Sequence, residues 1–194
     1  MRFSRPLLAT ALVSLCAAGA ALALNQSPDD MAKMMAFASP GENHKLLDYK
    51  VGKWNGHVTM WMAPGAPAME SEATSETKWI MGGRYLHEDV RGTFGGQPFE
   101  GLGISGYDNI KKKFVYTWVD NMGTGIMSGE GSYDAAKKMI SSMSTMSDPM
   151  TGKVVTSRGT ETKTDDNNWK MEMFAPGPDG KEFLTMRIDY KRAK

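Results

Sequence analysis

One cysteine, Cys16, is all the sequence contains. It stands in the first stretch of the chain, so once that stretch is removed there is no disulfide, no thiol nucleophile and no thiolate metal site. Excess charge of either sign is also missing. Lys and Arg number 23 against 22 Asp and Glu, a formal charge of +1, which leaves no electrostatic footprint for nucleic acid or an anionic membrane. Histidine is scarce, at three residues. Past about residue 53 no long helical pattern occurs, which excludes a parallel α/β sheet. No Gly-x-Ser-x-Gly elbow is present, because Gly103-Ile104-Ser105-Gly106 has the wrong spacing. Glycines 101, 103 and 106 form no phosphate loop, since no Lys-Ser/Thr pair follows them.

Long apolar runs are limited to one. Leu7 to Ala20 is uncharged, follows Arg2 and Arg5, and leads to Ala21-Leu22-Ala23. Basic flank, apolar run and small-x-small end are the pattern of a cleavable secretory signal peptide, expected over residues 1–23. The run is short and rich in Ala and Gly beside the about 20 strongly apolar residues of a spanning helix. A lipoprotein signal at Cys16 is the rival, but Leu15 stands where a small residue is expected. The mature chain is therefore expected to start near Leu24, to lie in the periplasm or outside the cell, and to have no integral membrane span. Loss of Arg2 and Arg5 takes its formal charge from +1 to −1.

What is present is β-sheet chemistry. A helical segment is expected over 24–52. Ser27 is its N-cap, Pro28 its first residue, and Asp29 and Asp30 suit the positive helix end. Ser39-Pro40-Gly41 breaks this helix, and a second short one is expected over 42–49 with Leu46, Leu47 and Tyr49 inward. From Lys53 on, runs rich in Thr, Val, Trp, Tyr, Phe and Met alternate with turn clusters such as Gly82-Gly83, Gly95-Gly96-Gln97-Pro98 and Asn121-Met122-Gly123. Ten strands are expected, at about 53–62, 70–81, 84–94, 98–108, 113–120, 125–134, 138–146, 153–164, 168–175 and 182–192. Short links favour an antiparallel meander, and one this long hides its edges by closing into a barrel over 53–194.

Several strands lack a dry face. Arg84, Leu86, Glu88, Val90 and Phe94 alternate on one side of the third, Phe114, Tyr116 and Trp118 on one side of the fifth, and Phe183, Thr185, Arg187 and Asp189 on one side of the last. Mixed polar and aromatic faces fit a barrel with a wet or ligand-filled cavity, although periodicity alone does not say which face is inside.

The order of Gly52-Lys53-Trp54, Gly82-Gly83-Arg84, Phe99 to Asp108 (FEGLGISGYD), Trp118-Val119-Asp120, Asp148 to Gly152 and Met186 to Tyr190 resembles the bacterial domain-of-unknown-function family numbered 1579. The resemblance spans nearly all of the mature chain. It implies a lipocalin-like barrel and no assigned activity. The fold class expected is thus all-β: a closed antiparallel ten-stranded lipocalin-like barrel preceded by two short helices.

The chemistry-bearing residues each have a structural role open to them as well. Ten-stranded barrels of the nitrobindin class look related and hold haem through one histidine, but His57 and His87 stand on polar strand faces here. Seventeen methionines, among them Met31, Met34, Met35, Met139, Met143, Met146 and Met150, fit periplasmic copper(I) or, more simply, flexible core filling. Glu88, Glu100, Asp108, Asp120 and Glu130 supply carboxylates but no pair at a set separation. No cofactor is expected and no catalytic set emerges. The expected role is binding of a small apolar or amphipathic molecule, with Arg84, Glu88, Tyr116, Trp118 and Arg187 as the candidate ligand-binding residues. The alternatives are an enzyme acting on a lipid or small metabolite, and a copper or haem handler. Arg84, Glu88 and Arg187 either pair with one another, or one arginine receives a ligand's carboxylate.

Overall fold

The computed structural model describes residues 27–148 and 151–194. The expected signal peptide lies outside the described residues, as does Met150. The chain divides after Ser39, and Pro40–Lys194 is the second unit. In the first unit, α1 spans Pro28–Ala38. Its N-terminus is capped as the sequence dictates: the Ser27 hydroxyl accepts from the Asp30 amide at 3.2 Å, with Pro28 in the first turn. None of its residues is buried.

The second unit opens with α2 (Glu42–Lys45) and a 3-10 turn, Asp48–Lys50. Ten strands follow: β1 Gly52–Met60, β2 Met69–Ile80, β3 Tyr85–Phe94, β4 Gln97–Asp108, β5 Lys113–Asp120, β6 Met127–Asp134, β7 Met139–Asp148, β8 Lys153–Lys163, β9 Asn168–Pro176 and β10 Glu182–Arg192. Each pairs antiparallel with its neighbours in sequence, and β1 pairs with β10, so the meander closes into a barrel. Closure leaves the sheet no free edge. No helix among the described residues is long and apolar enough to cross a membrane.

The register fixes which side chains face inward. Phe114 lies opposite Gly131, Tyr116 opposite Gly129, Ser144 opposite Ser157, and Trp169 opposite Tyr190, so these and their alternates line the interior. Glycines give the large inner rings their space. A Cβ on Gly101 would fall within the Trp118 ring, one on Gly103 would lie 3.3 Å from it, and one on Gly129 would lie 2.6 Å from the Tyr116 ring.

The interior is packed at one end only. Strand ends nearest α2 carry the buried side chains. Leu86, Phe114 and Ile140 cluster with Leu47, while Trp54, Trp169, Ile188 and Tyr190 form a second cluster. Trp169 stacks on Tyr190 with centroids 3.9 Å apart. Arg192 lies over the Trp54 ring and donates to the Val51 and Tyr49 carbonyls, sealing this floor. At the other end the inward residues Met60, Phe94, Phe99, Trp118, Met146 and Phe183 are all partly exposed. The barrel is therefore closed by α2 and the 3-10 turn below and open above.

Candidate functional site

The open half of the barrel narrows onto a polar band just above the packed floor. Lys50 enters it from the 3-10 turn. The side chain is 5 % exposed, and its Nζ donates to Glu161 Oε1 at 3.0 Å from inside β8. The same ammonium sits 4.9 Å from the centroid of the Trp169 ring. Burial opposes the Lys50 charge, but Glu161 and Glu88 outweigh it and raise its pKa. Glu88 faces inward from β3, directly opposite Thr77 on β2 and Gly103 on β4. Burial pushes its carboxyl up; Lys50 opposes the shift and Glu161 adds to it. Tyr49 and Tyr190 are held far above the usual phenol range by burial, with the carboxylates of Glu88 and Glu161 adding to the effect.

Water reaches this band, since Glu161 is 28 % exposed although it points into the barrel. A void of about 30 Å³ touches Leu47, Phe114, Tyr116, Ile140, Ser142 and Glu161, room by volume for about one water molecule. Several buried polar atoms here have no hydrogen-bond partner: Thr77 Oγ1, Glu88 Oε1, Tyr49 OH and Trp169 Nε1, while the Ser75 hydroxyl stabilises the charged form of Glu88. Such orphans are rare and costly inside proteins. By contrast Ser144 and Ser157 satisfy each other at 2.9 Å.

Of the five residues expected to bind a ligand, Glu88, Tyr116 and Trp118 face the interior. Tyr116 stands 3.4 Å from the Ser142 hydroxyl. Trp118 stacks on Phe99 at the open end, and its indole N–H donates to Asp120 at 2.8 Å. The two arginines are elsewhere. Arg84 is exposed in the turn before β3 and donates to the Met81 carbonyl at 3.0 Å. Arg187 is on the outer wall, bound to Glu172 at 2.7 Å. A β-bulge between Leu184 and Met186 causes the second difference. One extra residue reverses the alternation, so Phe183 stays inward while Arg187 turns out. Lys50, the cation that does enter, precedes every strand and carries no periodic signal of its own.

The histidines and methionines are dispersed. His44 is buried in α2, where its Nδ1 accepts from the Gly41 amide at 3.0 Å. His57 pairs with Glu72 on the outer wall, and His87 lies near Asp89 on the outside of β3. Met143 is exposed on the outer face of β7. Among the described residues no group of three His, Cys, Asp or Glu is placed to hold a metal ion. A separate concavity of about 490 Å³ is lined mostly by outward residues such as Tyr85, Ile104, Val115 and Thr117, with Tyr116 and Ser144 also reaching it, and Lys50, Glu88 and Glu161 are not part of it.

The fold recurs in a solved structure. The crystal structure of Rv2717c from M. tuberculosis superposes with a TM-score of 0.60 at 12 % identity, covering 80 % of this chain and all of that one. A redesigned β-barrel covers 81 % of this chain, at 14 % identity and a TM-score of 0.40. No curated protein matches the sequence. The model of the family described as "Protein of unknown function (DUF1579)" matches residues 39–192, from the end of α1 to the last residue of β10, and the chain belongs to that family.

Proposed function

We propose that this protein is an exported carrier that holds one small amphipathic molecule in the open half of its barrel, without catalysis of its own. The observation that carries this reading is the contrast along the barrel axis. Inward residues are buried at the floor and partly exposed toward the mouth, as they are where a barrel encloses reachable space rather than a solid core. An apolar ring of Phe94, Phe99, Trp118 and Phe183 stands above a band carrying Glu88 and Glu161. That layering suits a molecule with an apolar body and a polar end.

Titration with N-phenyl-1-naphthylamine, a neutral apolar dye, tests the reading. One saturable site is expected, and Val155→Trp, which fills the mouth from β8, should abolish it. Absence of a saturable site, or a site indifferent to Val155→Trp, would overturn the carrier reading. Export rests on residues 1–23. N-terminal sequencing of the mature protein should begin near Leu24, and an intact Met1 on a cytosolic product would refute it.

A further inference from the structure

The carrier reading leaves the ligand's polar end open, and the floor chemistry narrows it. Three ionisable side chains of opposite sign meet inside the barrel: Lys50, Glu161 and Glu88. One ammonium faces two carboxylates, and that ammonium is already bound to Glu161. Neither arginine is available inside to receive an acid, since Arg84 is in an exposed turn and Arg187 is held by Glu172 outside. An anionic head group at this depth would meet more negative charge than positive.

Next to Glu88 the wall offers acceptors without partners. Thr77 lies directly opposite Glu88 across the β2–β3 ladder, and Ser75 lies one inward position along. The two residues are 2 % and 4 % exposed; the Thr77 hydroxyl makes no hydrogen bond, and the Ser75 hydroxyl donates to Glu88 with its lone pairs still open to a donor. Glu88 Oε1 is likewise buried and unpartnered. On the other side of Glu88 stands Gly103, so no side chain from β4 covers the carboxylate. A Cβ there would come within 3.7 Å of Glu88 Cβ and 3.3 Å of the Trp118 ring.

We propose that this patch seats a cation, the protonated primary amine of an amphipathic ligand, with its N–H groups on Glu88, Ser75 and Thr77 and its apolar part toward the mouth. The inference rests on the carrier reading. An alkylammonium has three donors and no acceptor, and the patch supplies three acceptors. The charge-assisted bond to Glu88 is the strongest of them. Burial and Glu161 hold the empty-site Glu88 carboxyl above its ordinary range against the pull of Lys50, and an arriving ammonium favours the charged form. The other ionisable groups around it, Tyr49 and Tyr190, stay neutral phenols.

Three probes of equal chain length test this: dodecylammonium, dodecanoate and dodecanol, titrated by calorimetry at pH 7 below their micelle concentrations. Dodecylammonium should bind about tenfold more tightly than dodecanoate, the worth of about one hydrogen bond to a charged group. Glu88→Gln, nearly the same shape, should bring dodecylammonium down to dodecanol. Arg187→Met on the outer wall should leave all three probes unchanged. Equal binding of the two ions, or tighter binding of dodecanoate, would overturn the cationic head group and leave the carrier standing. If none of the three binds, the carrier reading itself fails and this inference with it.

Discussion

At the scale of single residues, Lys50 has the largest structural consequence. A buried ammonium is tolerable only with a partner, and Glu161 supplies it at 3.0 Å. Lys50→Met should destabilise the fold by about 3 kcal/mol, the low end for a broken buried pair, because Glu161 is still reached by water. Adding Glu161→Gln to Lys50→Met should restore most of the loss, since it removes the stranded charge. Denaturant midpoints of the two singles and the double measure the coupling, and additive losses would mean the pair does not interact. Gly101 makes a second residue-scale case. A methyl group there enters the Trp118 ring, so Gly101→Ala should cost about 1–3 kcal/mol by overpacking. The same change in a Trp118→Leu background should cost much less. An equal cost in both backgrounds would trace the loss to the backbone and not to the ring.

At the scale of elements, the plug formed by α2 and the 3-10 turn should respond to pH. Burial, with Arg84 nearby, lowers the His44 pKa from its ordinary value, and the neutral ring is the form that accepts from the Gly41 amide. Because the folded pKa is depressed, the unfolded chain takes up the proton first as pH falls. Stability from this residue is thus present above about pH 6.5 and lost below it. His57, raised by its bond to Glu72, works in the opposite sense from an exposed position. The comparison that isolates His44 is the change in denaturant midpoint between pH 7.5 and 5.5 in the parent and in His44→Gln. The variant should lose less on acidification, and an identical loss would refute the assignment. Elements were also what the sequence disclosed best. All ten strands lie within about two residues of their expected ends, because β-branched and aromatic runs are divided by glycine and asparagine turns. The helical plug expected over 42–49 is split, with α-helix over Glu42–Lys45 and a 3-10 turn over Asp48–Lys50. The inward face is half legible in the sequence. Alternation placed Glu88, Tyr116 and Trp118 on shared faces, but it fails wherever the strand is interrupted. Arg84 falls in a turn whose Met81, Gly82 and Gly83 all have positive φ, and the bulge at Leu184/Met186 reverses Arg187. Lys50 enters from below by tertiary placement, for which no local pattern exists.

At the scale of the whole molecule, one polarity runs along the barrel axis. The strand ends beside the plug carry two dense clusters, whereas the opposite ends carry inward rings still touched by water. Stability should therefore be graded from floor to mouth within a single closed sheet. Leu86 is 1 % exposed, and Leu86→Ala should cost about 2–5 kcal/mol, from lost burial and the cavity left behind. Phe94, on the same inward face of the same strand, is already partly solvated. Phe94→Ala should cost less than Leu86→Ala, since part of the ring is already in water and no closed cavity forms. Amide exchange should follow the same gradient, slowest around Leu86, Phe114 and Trp169 and fastest at the β3–β4 and β5–β6 ends. Saturating the barrel with an amphipathic ligand should slow exchange at the mouth more than at the floor, because only the mouth has contacts still to gain. Uniform protection in the free protein, together with equal costs for Leu86→Ala and Phe94→Ala, would mean that the interior is packed from end to end. A barrel so filled has no room for cargo.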